Sequence, residues 1–145
     1  MTRFFSREPL SYKAVQERLN TEIECATTHR MQYWLIFELA SHKHVGCCGL
    51  RPYRPSEKIY ELGFHLRRVF WGKGLATEAA RAVVAYGLEN LAASAIFAGH
   101  HPANTASRKV LLRLGFEETG TELYEPTGLY HPSCILKSSW TATLP

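Results

Sequence analysis

The chain has 145 residues, which is enough for one domain with a single core and too few for two. Hydrophobic residues make up 46% and charged residues 21%, which excludes a disordered, collagen-like or coiled-coil chain. The formal net charge of +4 arises without any run of five Lys or Arg residues, so it suits an anionic small molecule at least as well as a nucleic acid.

No apolar run approaches the roughly 20 residues that a membrane-spanning helix needs. The first residues, Met1 to Phe5, have neither the apolar core of a signal peptide nor a cleavage site behind them. The spacing of the four cysteines fits neither a zinc site nor a secreted disulfide framework. We therefore predict a cytoplasmic protein with no membrane, nucleic-acid or metal partner, whose cysteines are small core residues.

The N-terminal part of the chain predicts one helix and then an antiparallel meander. Ser11 is a suitable N-cap, and the apolar residues Val15, Leu19 and Ile23 recur at helical spacing. Three strand-like runs follow, at 33–39, 45–50 and 59–66. A proline-containing break at 52–56 separates the last two, and such short connections favour antiparallel pairing.

The pattern then changes to the helical period. A second helix is predicted from Gly74 to about Asn90, on the apolar stripe Leu75, Ala79, Ala82, Val83, Tyr86 and Asn90. A short strand at 94–99 comes next. A third helix then runs from Asn104, its cap, to Leu114, and Gly115 ends it.

Two further strands are predicted at 116–123 and 129–136, around a turn. The whole order is helix, three strands, helix, strand, helix and two strands. It predicts a single mixed α/β (α+β) domain over residues 1–145 and not a regular βαβ repeat.

An anion-binding site is predicted where the third strand leads into the second helix. The segment 72–77 opens that helix, where backbone N–H groups lack partners and the helix dipole is positive. Its glycines allow an oxyanion to approach closely, and Arg67, Arg68 and Lys73 add positive charge. It is not a P-loop, because the pattern GxxxxGK followed by Ser or Thr is absent, and it is not a dinucleotide fingerprint, because Thr77 replaces the third glycine of GxGxxG. A glycine turn before an ordinary helix is the alternative.

Three motifs, in this order and spacing, resemble the GNAT acetyltransferase superfamily: WGKGLATEA at 71–79, NTAS at 104–107 and LGF at 114–116. Within it the chain is most similar to the RimJ/RimL branch of ribosomal-protein N-terminal acetyltransferases, over about residues 32–138. The resemblance implies a central, mostly antiparallel sheet that splays between two strands and is flanked by helices. It also implies acetyl-CoA as the cofactor.

The resemblance places the pyrophosphate of the cofactor on the 72–77 loop and its pantetheine arm along the end of the third strand. Asn104 would bind that arm, although it could equally be a plain helix cap. The cofactor-binding residues expected from the resemblance are Phe64, His65, Leu66, Arg67, Trp71, Gly72, Lys73, Gly74, Leu75, Ala76, Thr77, Asn104 and Ser107.

The chain departs from the family's catalytic pattern at two positions. Many members have a Tyr general acid seven residues after the Asn, where this chain has Leu111. Ser107 is then the candidate to protonate the leaving thiolate. Some members have a Glu five residues before the Asn, where this chain has Gly99. The candidates for the base are Glu61 and His65, which lie four apart on one face of the third strand, and His100 and His101 at the end of the fourth. Glu61 ranks first, followed by His101 and His100.

These residues imply an N-acetyltransferase that acts on a primary amine of a protein N-terminus or a small molecule, by direct attack on the thioester. The alternative is a non-catalytic acyl-CoA-binding module with a degenerate acceptor side. A nucleic-acid-binding role would require a basic stripe, whereas the basic residues cluster at one loop.

The family's first strand is not recognisable before Tyr33. Either the fold lacks this edge strand or the chain is truncated at its start. A homodimer contact could cover the unpaired edge that would result.

Overall fold

The computed structural model describes residues 10–139, so Met1 to Phe5, on which the predicted location depends, lie outside the described residues. The helices and strands are α1 Tyr12–His29, β1 Tyr33–Phe37, β2 His44–Arg54, β3 Ile59–Leu66, α2 Leu75–Glu89, β4 Ala95–Gly99, α3 Thr105–Arg113, β5 Glu117–Tyr124 and β6 Leu129–Lys137. This order confirms the mixed α/β fold. No helix within residues 10–139 is long and apolar enough to cross a membrane.

The sheet has the strand order β1-β2-β3-β4-β6-β5, and all neighbours are antiparallel except β3 and β4. The parallel pairing of β3 with β4 runs only from Ile59 opposite Ala95 to Glu61 opposite Phe97. Beyond that point β3 continues to Leu66 without pairing with β4. The predicted splay of the sheet is therefore present, and it opens after Glu61.

The prediction that the second strand ends at residue 50, before a break at 52–56, was wrong. Residues 52–54 continue β2, with Pro52 opposite Tyr60 and a bulge before Arg54. The pairing of β1 with β2 ends at Gly49, so β2 is an edge strand from there on. A proline at an edge costs no ladder hydrogen bond, which explains why it does not break this strand.

Helix α2 packs on the sheet through small residues. A Cβ on the buried Gly87 would lie 2.9 Å from Leu50 Cδ1 and 3.0 Å from Ile96 Cδ1, so the glycine allows the helix to approach. The predicted stripe was partly wrong, since Ala82 and Asn90 are exposed. The buried face of α2 differs from the predicted stripe because the helix contacts the sheet around Gly87. It consists of Ala80, Val83, Val84 and Gly87.

Helix α1 begins as predicted, since the Ser11 hydroxyl accepts a hydrogen bond from Ala14 N at 3.2 Å. Against residues 10–139, however, none of its side chains is buried. Val15, Leu19 and Ile23 are each at least half exposed. The periodicity therefore predicted the helix correctly, while its apolar face stays uncovered within the described part of the chain.

Candidate functional site

Two cavities meet where β3 and β4 diverge. One has a volume of about 350 Å³ and lies beside the loop before α2, and the other, of about 340 Å³, lies on the side of α1 and the β5–β6 hairpin. We call them the cofactor cavity and the acceptor cavity. They share four lining residues, namely Phe64, His65, Asn104 and Ser107. A molecule in one cavity can therefore meet a molecule in the other at this junction.

The cofactor cavity is bounded by the glycine loop. Gly72 and Gly74 have φ angles of 76° and 79°, which favour glycine, and a Cβ on either would meet no atom of residues 10–139 within 4 Å. Gly74 is the N-cap of α2, and no side chain caps this helix end. Thr77 N already donates to Gly74 O at 3.0 Å, so the N–H groups of Leu75 and Ala76 are those left for an anion, and the space above the loop is open to receive it.

The edge of β3 that faces the gap also offers backbone groups. Arg67 N donates to Val45 O at 2.8 Å on the β2 side. Because successive residues direct their backbone groups to opposite edges, those of Phe64 and Leu66 face the gap. Trp71 Nε1 donates to Leu66 O at 2.8 Å, which fixes the indole at the rim of the cavity.

The structure brings together most of the residues expected to bind the cofactor. Those that line the cofactor cavity are Phe64, His65, Leu66, Trp71, Gly72, Gly74, Leu75, Ala76, Thr77, Asn104 and Ser107. Arg67 and Lys73 do not line it. The Arg67 guanidinium instead donates to His44 O at 3.1 Å, and Lys73 Nζ lies 4.0 Å from a Glu38 carboxylate oxygen.

The sequence reasoning missed two cations of the cofactor cavity. Lys109 and Arg113 on α3 both line it. They are four residues apart, so they share one helix face. The spacing of four residues is visible in the sequence, but it does not show that this face of α3 is directed towards the cofactor cavity.

Asn104 and Ser107 lie at the start of α3, at the junction of the cavities. Asn104 Oδ1 accepts from Ser107 N at 3.1 Å, so Asn104 does cap the helix. Its amide nitrogen still has donors for a ligand. Leu111, where many family members have Tyr, is buried in the core and lines only the acceptor cavity.

Glu61 and His65 both line the acceptor cavity, as their spacing on one strand face predicted. Burial raises the pKa of Glu61 above its ordinary value, and the charge of Arg51 partly opposes this. Burial lowers the pKa of His65 to about 4, and the charges of Arg18 and Arg51 lower it further. His65 is therefore neutral at pH 7, and it stacks on Tyr33 with ring centroids 5.6 Å apart.

His100 and His101 also line the acceptor cavity, and their hydrogen bonds fix their tautomers. His101 Nδ1 accepts from Ala103 N at 3.1 Å, so neutral His101 carries its proton on Nε2. His100 Nδ1 lies 3.0 Å from His101 O, an acceptor, so it carries the proton and Nε2 holds a lone pair.

The comparisons with known proteins agree with this geometry. Residues 1–117 match the family model described as an acetyltransferase (GNAT) domain, so the chain belongs to the GNAT acetyltransferase family, whose cofactor is acetyl-CoA. The chain is 37% identical over 76 residues to the uncharacterized N-acetyltransferase p20 of Bacillus licheniformis. That match covers 52% of this chain and 43% of the relative, so the chain spans less than half the length of this curated relative.

Solved structures show the same fold. The ribosomal-protein-S5-alanine acetyltransferase of Vibrio fischeri has a TM-score of 0.78 at 19% identity, over 95% of this chain and 80% of that one. RimL, a ribosomal L7/L12 α-N-protein acetyltransferase in complex with coenzyme A, has a TM-score of 0.75 at 17% identity. The match covers 88% of this chain and 73% of the RimL chain. At these identities the likeness concerns the fold, and RimJ/RimL-like proteins are structural neighbours of the chain.

Proposed function

We propose that the chain is an acetyl-CoA-dependent N-acetyltransferase of one domain, which transfers the acetyl group to a primary amine by direct attack on the thioester. The observation that carries this proposal is the junction of the two cavities at the divergence of β3 and β4. One cavity ends at an uncapped helix N-terminus suited to phosphates, and the other contains ionisable groups suited to an amine.

The cofactor cavity fits acetyl-CoA, which would supply the activated acetyl group. The loop from Gly72 to Thr77 would bind its pyrophosphate through backbone N–H groups, with Lys109 and Arg113 adding charge. The edge of β3 at Phe64 and Leu66 would pair with its amides. The Leu66 N–H lies on the same edge and would stabilise negative charge on the thioester oxygen.

Glu61 is our candidate for the group that takes the proton from the acceptor ammonium. It lines the acceptor cavity, and its raised pKa brings a carboxylate closer to the basicity that such a transfer needs. Ser107 lines both cavities, so its hydroxyl is our candidate to donate a hydrogen bond to the leaving sulfur. Holding the two substrates at one junction would supply much of the rate enhancement.

The acceptor is a primary amine of a protein N-terminus or a small molecule. The names of two structural neighbours, which are acetyltransferases of ribosomal proteins, support the protein N-terminus, whereas the name of a third, a spermidine N-acetyltransferase chimera, supports a small amine. Leu111 in the core, where many members have Tyr, favours the second candidate, a module that binds acyl-CoA without turnover.

The first test is a calorimetric titration of the protein with acetyl-CoA, combined with Trp71 fluorescence. We expect saturable binding by the wild type and its loss in Gly74→Asp, which puts a carboxylate against the anion site. Gly128→Asp is the matched control, because Gly128 also has a positive φ, of 66°, but lies in the β5–β6 turn. Absence of wild-type binding at near-millimolar acetyl-CoA would contradict the proposal.

Turnover is tested separately by thiol release in a screen of peptide N-termini and small amines. Release of free CoA with an amine, at a rate that falls in Glu61→Gln, supports the enzyme. Binding of acetyl-CoA without release on any amine supports the non-catalytic module instead.

A further inference from the structure

Three metal-ligating side chains from different strands meet beneath α3. His100 follows β4, Glu118 lies on β5 and Cys134 lies on β6. One donor atom from each, a ring nitrogen, a carboxylate oxygen and the thiol sulfur, all lie within 4.8 Å of one another. No two of these residues are close in sequence, so no short ligand motif contains them.

The strand register explains why they meet. Cys134 lies opposite both Ala98 on β4 and Glu118 on β5. His100 comes two residues after Ala98, and His100 N donates to Pro132 O at 3.2 Å, which extends the pairing of β4 with β6. The three side chains therefore project from the same face of three adjacent strands.

The observation that points to a bound metal ion is the unpartnered ring nitrogen of His100. The residue is 5% exposed, and its Nδ1 donates to His101 O at 3.0 Å. Its Nε2 is buried and has no hydrogen-bond partner among residues 10–139. A buried lone pair without a partner is costly and requires an explanation. A histidine that donates one ring N–H to a backbone carbonyl has the arrangement that orients the other nitrogen towards a metal.

The donor set indicates which ion would fit. Nitrogen, thiolate and carboxylate together are typical of Zn²⁺, whereas Mg²⁺ and Ca²⁺ prefer oxygen ligands. Donors of a tetrahedral zinc site lie roughly 3.3–3.8 Å apart, so donor atoms that are no more than 4.8 Å apart would have to approach one another by at most roughly 1.5 Å. Cys134 is 1% exposed, but Glu118 is partly exposed and gives the ion a route from solvent.

Arg108 on α3 already binds the carboxylate, with its Nε 2.6 Å from Glu118 Oε1. A carboxylate has a second oxygen that can take a metal while the first keeps its hydrogen bond. Arg108 would then orient a ligand, as partners of metal-bound carboxylates do.

We propose that His100, Glu118 and Cys134 form a Zn²⁺ site that ties the end of β4 to the β5–β6 hairpin. On binding, the Cys134 thiol loses its proton to solvent and the sulfur forms the zinc bond, with water as the fourth ligand. The site uses the lone pair of His100, which removes this residue from the candidates for the base. The proposal does not depend on acetyltransferase activity.

The test replaces Zn²⁺ with Co²⁺, whose absorption reports the ligands. The tag-free protein is titrated with Co²⁺ alone, and we expect one equivalent to give tetrahedral bands together with a thiolate-to-cobalt charge-transfer band. Cys134→Ser should lose the charge-transfer band. The control Cys47→Ser should keep it, because Cys47 is a free, half-buried thiol on β2 outside the cluster. Zn²⁺ should displace the Co²⁺ and raise the Tm of the wild type.

The proposal is overturned if wild type gives no thiolate band, or if Cys134→Ser keeps it. Glu118→Gln covers the case in which Cys134→Ser does not fold, because Glu118 is on the partly exposed side of the cluster. We expect this variant to bind Co²⁺ at least tenfold more weakly, and unchanged affinity would also overturn the site. Acetyl-CoA titrations with and without Zn²⁺ keep this result separate from that of the proposed function.

Discussion

The carboxylate of Glu22 on α1 binds the guanidinium of Arg51 on β2. Arg51 Nε lies 3.0 Å from Glu22 Oε1, and Glu22 Oε2 accepts from Tyr33 N at 2.9 Å. Because no α1 side chain is buried against residues 10–139, this carboxylate is a main attachment of the helix to the sheet. Arg18, one turn earlier on the same helix, lines the acceptor cavity.

We expect Glu22→Ala to lower the free energy of unfolding by about 2 kcal/mol, because it leaves the half-buried Arg51 without its partner. The matched control is Glu17→Ala on the same helix. Glu17 pairs with Lys13 at 3.9 Å on the exposed face, and its loss should cost at most about 0.5 kcal/mol. Urea unfolding measures both, and equal losses would show that the Glu22 contacts do not hold α1.

The raised pKa of Glu61 predicts a pH dependence of stability with a definite sign. The folded state binds the proton more tightly than the unfolded state, so ionisation of Glu61 costs stability as the pH rises through its raised pKa. Glu61→Gln should therefore be more stable than the wild type at pH 7 and equal to it well below pH 4.5. Urea unfolding at both pH values checks this, with the exposed Glu57→Gln as the control.

The same residue predicts the shape of the rate profile. As the base, Glu61 must be ionised, so kcat/KM should fall on the acid side at a pH above the ordinary carboxylate value. Glu61→Gln should lower kcat/KM by about 10²–10⁴-fold and remove that limb. A variant that keeps wild-type kcat/KM would exclude Glu61 as the base.

His65 predicts the opposite pH dependence. Its pKa falls from 6.5 to about 4 on folding, chiefly through burial, so its stability contribution is complete above pH 6.5 and is lost as the pH falls towards 4. His65→Phe keeps the ring stack on Tyr33 but cannot titrate. Between pH 7 and pH 4.5 the unfolding free energy of this variant should improve relative to the wild type by roughly 2 kcal/mol. His29→Gln, on the exposed last turn of α1, should show no such change.

The helices and strands could be predicted well from the sequence, because helix caps and turns depend on a few neighbouring residues. Ser11 and Asn104 cap the helices that were assigned to them, and the turn before Leu129 separates β5 from β6. The glycine loop was also found, since a positive φ at Gly72 and Gly74 is a property of a few consecutive residues.

What the sequence did not reveal depends on which residues meet across strands and helices. The cluster of His100, Glu118 and Cys134 requires the register of three strands, which no short motif encodes. Lys109 and Arg113 needed the orientation of α3 over the cofactor cavity. Periodicity likewise gave the apolar face of α1 but not what covers it.

That apolar face predicts self-association. Leu19 and Ile23 on α1, and Leu35 and Phe37 on β1, are all more than half exposed, and apolar surface of this kind marks association sites. We expect a concentration-dependent homodimer in sedimentation velocity. Leu19→Lys with Ile23→Lys should shift it to monomer, whereas Val69→Lys, at an exposed apolar residue elsewhere, should not. A wild type that stays monomeric at all concentrations would contradict the prediction.

Lys109 and Arg113 test how the cofactor cavity holds an anion. Both cations line the cavity on one face of α3, and the phosphates of CoA are the groups they would attract. Replacing both by Ala should weaken binding of CoA about 10-fold or more at low ionic strength, and the loss should shrink as salt is added. Lys137→Ala, at the exposed end of β6, removes a charge of the same sign away from the cavity and should leave the Kd within about twofold. Calorimetry at two salt concentrations measures both effects. An equal loss in the control would mean that overall charge, and not the α3 face, attracts the cofactor.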